Sequence, residues 1–193
     1  MADWEDTCSC IRVKKNPTKR LMNYFLHLAK NVHEETIDLE RIENLLQEDA
    51  DINVQDEEGR TPLHMVAKDW HPDVAKFMLD NGANVDKSDN GGLTPLHTAI
   101  AEDYKEMVEL LFSHTEPKDN DTDQKEVSMS KLYLIDAAHI GAVDACKFLI
   151  ETAGIDVNEC YEDDVRPLHI AAMMNHVEVV KLLIKKKGKI WIT

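Results

Sequence analysis

Thr61-Pro62-Leu63-His64 returns 33 residues later as Thr94-Pro95-Leu96-His97, and a third version, Arg166-Pro167-Leu168-His169, follows towards the C-terminus. Between the second and third, Leu132 to Ala138 (LYLIDAA) takes the register of Arg166 to Ala172 (RPLHIAA) at an offset of 34. A period of this length marks a chain built by stacking one small unit on the next. A second marker gives the same register. Glu40, Asp73, Glu106, Asp144 and Glu178 each stand six residues ahead of an apolar closing residue, Leu46, Leu79, Phe112, Ile150 or Ile184. Five repeats result, at 21–55, 56–88, 89–128, 129–160 and 161–193, forming one repeat domain over 21–193 behind a basic leader at 1–20.

Each repeat reads as two short helices and a turn. Pro62 stands where a helix starts, because its missing N–H costs nothing there and its fixed φ suits the first turn, and Thr61 is placed to cap the first amides. Leu63, Val66 and Ala67 share one face of this helix; Val74, Phe77 and Met78 share one face of the next. Gly82, free to take positive φ, ends the second helix. Asp56-Glu57-Glu58-Gly59 and Asp89-Asn90-Gly91-Gly92 supply the turns between repeats. Helices this short do not repay their own nucleation, so stacking must hold them. The expected fold class is all-α.

Gly-x-Thr-Pro-Leu-His, a small-residue pair, an acid opening the second helix, and then Gly82-Ala83-Asn84-Val85-Asp86 together resemble the ankyrin repeat. The likeness is clear in the second, third and fifth repeats and looser in the fourth. In the first it is carried by Leu26-His27-Leu28-Ala29 and Ala50-Asp51-Ile52-Asn53. The resemblance implies an ankyrin-repeat solenoid of helix-turn-helix units joined by β-turn fingers, whose tips and first helices line a concave protein-binding face. It also implies that His64, His97 and His169 tie the turns by hydrogen bonds. In the fourth repeat Ile135 replaces that histidine and Leu132-Tyr133 replaces Thr-Pro, so its turn is expected to be less firmly tied.

The 37 acidic against 22 basic residues give a formal charge of −15, which argues against nucleic-acid binding through a phosphate-neutralising face and favours a basic partner. Charge of one sign also keeps copies apart, so the chain alone is expected to be a monomer. No apolar run approaches the roughly 18 residues of a membrane span, and no membrane role is expected. Met1 to Arg20 lacks the apolar core of a secretory signal, and Cys8, Cys10, Cys146 and Cys160 show no disulfide-framework spacing. A reducing cytoplasm, or the nucleus, is the expected location. The chain has no G-x-S-x-G elbow, phosphate loop, H-E-x-x-H or paired C-x-x-C, and its nine histidines show no metal-ligand spacing. No enzyme activity, cofactor or metal is therefore expected.

Several stretches depart from the pattern. An acidic, proline-containing insertion at 113–130 is expected to be a solvated surface loop, with Thr115, Thr122 and Ser128 as candidate phosphorylation sites. Asp119, Asp121 and Asp123 alternate like the start of a calcium loop, but Gln124 and Ser130 stand where Gly and Glu are required, so no calcium site is expected. Arg12, Lys14, Lys15, Lys19 and Arg20 form a basic cluster, read as part of a leader or cap ahead of a nuclear-import contact. Lys185 to Lys187 suit a helix C-terminus, Gly188 stops it, and Ile190-Trp191-Ile192 are expected to fold over the last repeat, unless the chain is cut from a longer protein.

The shared register names the candidate protein-binding residues. They are Glu57, Glu58, Arg60, Lys68, Asp69 and Trp70 in the second repeat; Asn90, Leu93, Ala101 and Glu102 in the third; Lys131, His139 and Ile140 in the fourth; and Glu162, Asp163, Val165, Met173 and Met174 in the fifth. The expected function is a non-catalytic binding scaffold for a protein with a basic or mixed basic-apolar segment. Two narrower readings stand beside it: an inhibitor resembling the I-kappa-B group, which masks a basic segment of a transcription factor, and the targeting part of a larger enzyme, channel or ubiquitin ligase.

Overall fold

The computed structural model describes residues 16–30, 37–69, 71–115, 126–158 and 164–186. The expectations placed on Arg12, Lys14, Lys15, Trp70, the Asp119-Asp121-Asp123 run, Thr122, Glu162, Asp163 and Ile190-Trp191-Ile192 lie outside these residues. Among the described residues every regular element is helical: α1 (Pro17–Lys30), α2 (Leu39–Gln47), α3 (Pro62–Lys68), α4 (Pro72–Asp80), α5 (Pro95–Ala101), α6 (Lys105–His114), α7 (Glu126–Ile140), α8 (Val143–Glu151), α9 (Pro167–Met173) and α10 (Val177–Lys185). No described helix is long and apolar enough to cross a membrane. The chain divides into two compact blocks, residues 1–94 and 95–193.

In the N-terminal block α1 packs on α2, α3 on α4, and α1 on α3. In the C-terminal block α5, α7 and α9 stack as a row of first helices, while α6, α8 and α10 stack as a row of second helices. The same positions fill the core each time. Leu63, Leu96, Leu134 and Leu168 are buried in the first helices, as are Val66, Ala99, Ala137 and Ala171; Met78, Leu111, Leu149 and Leu183 are buried in the second. Each large side chain so buried contributes about 1.5–3 kcal/mol against exposure. Helix α3 is buried at every position from Pro62 to Ala67, rather than along one face as its pattern suggested.

Helix ends repeat as faithfully as the core. After α4, Gly82 (φ 87°) donates to the Leu79 carbonyl at 3.0 Å and Ala83 to the Met78 carbonyl at 2.9 Å, which satisfies the last carbonyls of the helix. One repeat earlier Asp49 (φ 64°) donates to Leu46 and Ala50 to Leu45, both at 3.0 Å. The link between first and second helices also turns on a left-handed residue, Asp103 (φ 54°), Gly141 (φ 90°) or Asn175 (φ 62°), at equivalent positions.

Three boundaries differ from those expected. Helix α1 starts at Pro17, inside the 1–20 leader, because Asn16 Oδ1 accepts the Lys19 amide at 3.0 Å and Pro17 suits the first turn. Lys19 and Arg20 therefore belong to the first helix. The 113–130 insertion is not all loop: Ser113 and His114 finish α6, and Glu126 to Ser130 already lie in α7. Lys131 is likewise inside α7 and not at a finger tip. Where the second, third and fifth repeats have a proline that halts backward extension, the fourth has Tyr133, whose N–H can join the ladder, so the helix continues through the position of the turn.

Candidate protein-binding surface

Two fingers of the N-terminal block are built by the same bonds. Asp56 N–H donates to the Arg60 carbonyl at 3.0 Å, and Asp89 N–H to the Leu93 carbonyl at 2.8 Å. Asp56 Oδ1 accepts the amides of Glu58 (3.1 Å) and Arg60 (2.8 Å), as Asp89 Oδ1 accepts those of Gly91 (2.8 Å) and Leu93 (2.9 Å). The fingers are joined by the Asn90 amide to the Glu58 carbonyl at 2.9 Å and Asn90 Nδ2 to the Glu57 carbonyl at 3.0 Å. Gly59 (φ 79°) lies so close that a Cβ would meet Asn90 Oδ1 at 2.5 Å.

His64 fastens the helix to both fingers. Thr61 N–H donates to His64 Nδ1 at 3.0 Å, so Nδ1 is the unprotonated nitrogen, and Nε2–H donates to the Leu93 carbonyl at 3.0 Å. Burial lowers the imidazole pKa below its ordinary 6.5, outweighing the Leu93 carbonyl and the charges of Asp89 and Asp56. Burial also works against the Asp56 carboxylate, but the hydrogen bonds and charge of Arg60 hold its pKa below the ordinary value.

On this rigid base Glu57, Glu58 and Asn90 are exposed, as is Lys68 at the end of α3, while Arg60 and Asp69 are half-buried. Arg60 is engaged by Asp56 at 2.8 Å and Glu58 at 3.0 Å, and the Asn90 amide is spent on Glu57; both hold the tips in place. Leu93 is an exposed apolar residue between them.

In the C-terminal block the candidates sit where first helices end. Ala101 and Glu102 are exposed at the end of α5, His139 and Ile140 at the end of α7, and Met173 and Met174 at the end of α9; Val165 is half-buried. Met173 is 71% exposed, which rules out packing beneath a neighbour. His176 Nε2–H donates to the His139 carbonyl at 2.9 Å, and Gly141 packs against the same ring, where a Cβ would lie 2.5 Å from Nδ1. These contacts tie the link ahead of α10 to the end of α7. From Glu102 to Ile140 to Met174, one register position passes from charged to apolar.

Three features were not anticipated from the sequence. Asp103 Oδ1 accepts the Ala145 amide at 2.8 Å, capping α8 from the previous helix pair. The signal was its alignment with Gly141 and Asn175, positions that tolerate positive φ. His97 Nε2 lies 3.6 Å from Asp136 Oδ2, with the Tyr133 ring 4.8 Å away, and burial raises the Asp136 pKa. His169, expected to tie a turn, is exposed. Within the same block His97, by contrast, is buried where α7 stacks on α5. Among the described residues no three His, Cys, Asp or Glu side chains converge as a metal site.

The family model for ankyrin repeats in 3 copies matches residues 26–125, more than half of the chain, and that for ankyrin repeats in many copies matches residues 134–184. The chain belongs to the ankyrin-repeat family. The expected all-α repeat solenoid is borne out, and such repeats are protein-interaction modules. Similarity to human protein phosphatase 1 regulatory subunit 27 is 40% identity over 72 residues, 37% of this chain and 46% of that protein. Similarity to alpha-latrocrustotoxin-Lt1a of Latrodectus tredecimguttatus is 48% over 50 residues, 26% of this chain and 4% of the toxin. The chain thus spans less than half the length of either relative.

Proposed function

We propose that this ankyrin-repeat chain is a non-catalytic binding module for a protein segment that carries apolar side chains beside basic ones. The observation that carries the reading is the exposure of the large apolar side chains Ile140, Met173 and Met174 where α7 and α9 of the C-terminal block end. Apolar side chains kept in solvent on a rigid frame suit a partner's apolar residues, and methionine adapts to their shape. The acidic tips Glu57 and Glu58 of the N-terminal block suit basic residues. Because both supports are already ordered, little conformational entropy is lost on binding.

A second reading, that the module regulates an enzyme by tethering it to a target, draws on the likeness to a phosphatase regulatory subunit. The acidic tips equally suit masking of a basic segment, as an I-kappa-B-like inhibitor would. Affinity capture with the folded chain, read by mass spectrometry, tests the common core of these readings. The expected result is a partner lost when Met173 and Met174 are changed to Asp and weakened by raised salt when Glu57 and Glu58 contribute. Retention of every captured protein by both the Met173→Asp/Met174→Asp and the Glu57→Lys/Glu58→Lys chains would refute the proposed surface. The cytoplasm or nucleus is the proposed location, checked by imaging the tagged chain.

A further inference from the structure

Eight methionines stand in the chain, and the fold sorts them into two classes. Met22, Met65, Met78 and Met107 lie in the core, the most open of them 7% exposed. Met173 is 71% exposed and Met174 40%. Met1 and Met129 lie outside the described side chains. The openness of the Met173-Met174 pair belongs to its register position rather than to its place in the last pair of helices. Ala101 and His139 are in register with Met173, as Glu102 and Ile140 are with Met174. All four are exposed although α7 stacks on α5 and α9 on α7. A thioether reacts with an electrophilic oxygen through a sulfur lone pair that is free at any physiological pH, so access sets its rate. A thiol, by contrast, reacts as the thiolate. Cys146 is fully buried with its thiol pushed up to about 12, and does not compete while the block is folded.

We infer that Met173 and Met174 form an oxidation site through which hydrogen peroxide switches off the apolar surface they belong to. The switch rests on the reading of that surface as a binding face; the site of oxidation does not. The sulfur lone pair attacks one peroxide oxygen, and the S–O bond forms as the O–O bond breaks. The other oxygen leaves as hydroxide and takes the proton from the new S–OH group, giving water and a sulfoxide. Each sulfur is oxidised by two electrons and each peroxide reduced by two. A polar S–O group then stands where an apolar side chain met the partner, the change that disrupts methionine-rich contacts. Because both side chains project into solvent, no core contact is lost, and the fold outlasts the change at its surface. The same exposure leaves the sulfoxides open to methionine sulfoxide reductases, which makes the switch reversible.

Peptide mapping of the full chain by mass spectrometry after graded hydrogen peroxide reads the site directly. A dithiothreitol wash reverses cysteine disulfides and sulfenic acids but leaves sulfoxides in place. Met173 and Met174 should gain oxygen at least ~10-fold faster than the four buried methionines in native buffer, and no faster than them in urea. Equal rates in native buffer overturn the inference. The consequence is read on the set of proteins that the parent retains from a lysate and the Met173→Asp/Met174→Asp chain does not. The oxidised parent, freed of peroxide, should lose this set, and methionine sulfoxide reductase should restore it. The Met173→Leu/Met174→Leu chain, apolar but without sulfur, should keep the set through the same treatment. Retention by the oxidised parent, or equal loss from the leucine chain, overturns the switch, and so does a collapse of the circular dichroism signal on oxidation of the pair. A set that is empty before any peroxide is added refutes the binding face and the switch with it, while the mapping still decides the site of oxidation.

Discussion

His64 joins a helix to two fingers through a single neutral ring, and its protonation would break that arrangement. Protonated Nδ1 cannot accept the Thr61 amide, and burial penalises a cation there by more than Asp89 and Asp56 favour it. The folded pKa lies below 6.5, so the unfolded chain takes up the proton first as pH falls. The stabilisation is complete above about pH 6.5 and is lost as pH drops through the folded value. Asp56 acts in the same direction, but in the window beginning near 3.8, so the upper part of the acid limb belongs to His64. Urea midpoints measured from neutral pH to about pH 5 should fall for the parent and stay flatter for His64→Ala, which should also cost about 1–3 kcal/mol at neutral pH by stranding the Thr61 amide and Leu93 carbonyl. An equally steep decline in the variant would remove His64 from the account. The Thr-Pro-Leu-His signature made this residue legible, because Thr61 and His64 lie within one turn. The fates of His97 and His169 were not legible, because those depend on the pair that follows.

Among the elements, α8 owes part of its start to a residue outside it. Asp103, held at φ 54°, reaches the Ala145 amide, one of the four donors that a helix leaves unsatisfied at its N-terminus. Asp103→Asn keeps an acceptor and the tolerance for positive φ, so its stability should match the parent closely. Asp103→Ala loses both and should cost about 1–2 kcal/mol in urea unfolding. Equal stability of the two variants would show that the cap contributes nothing. Helix starts at Pro62, Pro72, Pro95 and Pro167 were legible because proline punctuates locally. The start of α7 at Glu126 was not, since its stretch carries no such mark.

At the scale of the whole molecule, Cys146 reports on the integrity of the C-terminal block. It is fully buried in α8, and burial, with the charge of Asp103 adding to it, pushes its thiol up to about 12. A thiol so far from ionisation reacts only after the block opens. Peptide-resolved alkylation at neutral pH should leave Cys146 unmodified in the folded chain, with labelling appearing in step with denaturant unfolding; prompt labelling in native buffer would contradict the packing of α6, α8 and α10. Register, helix type, the proline starts and the recurring buried positions such as Leu63, Leu96, Leu134 and Leu168 were determined by the sequence alone, because they follow from short-range chemistry repeated at a fixed period. Tertiary structure alone decided that Met173 and Ile184 stand in solvent and that His169 differs from His97. Each depends on whether another helix pair lies against the residue, and a linear pattern does not encode that neighbour.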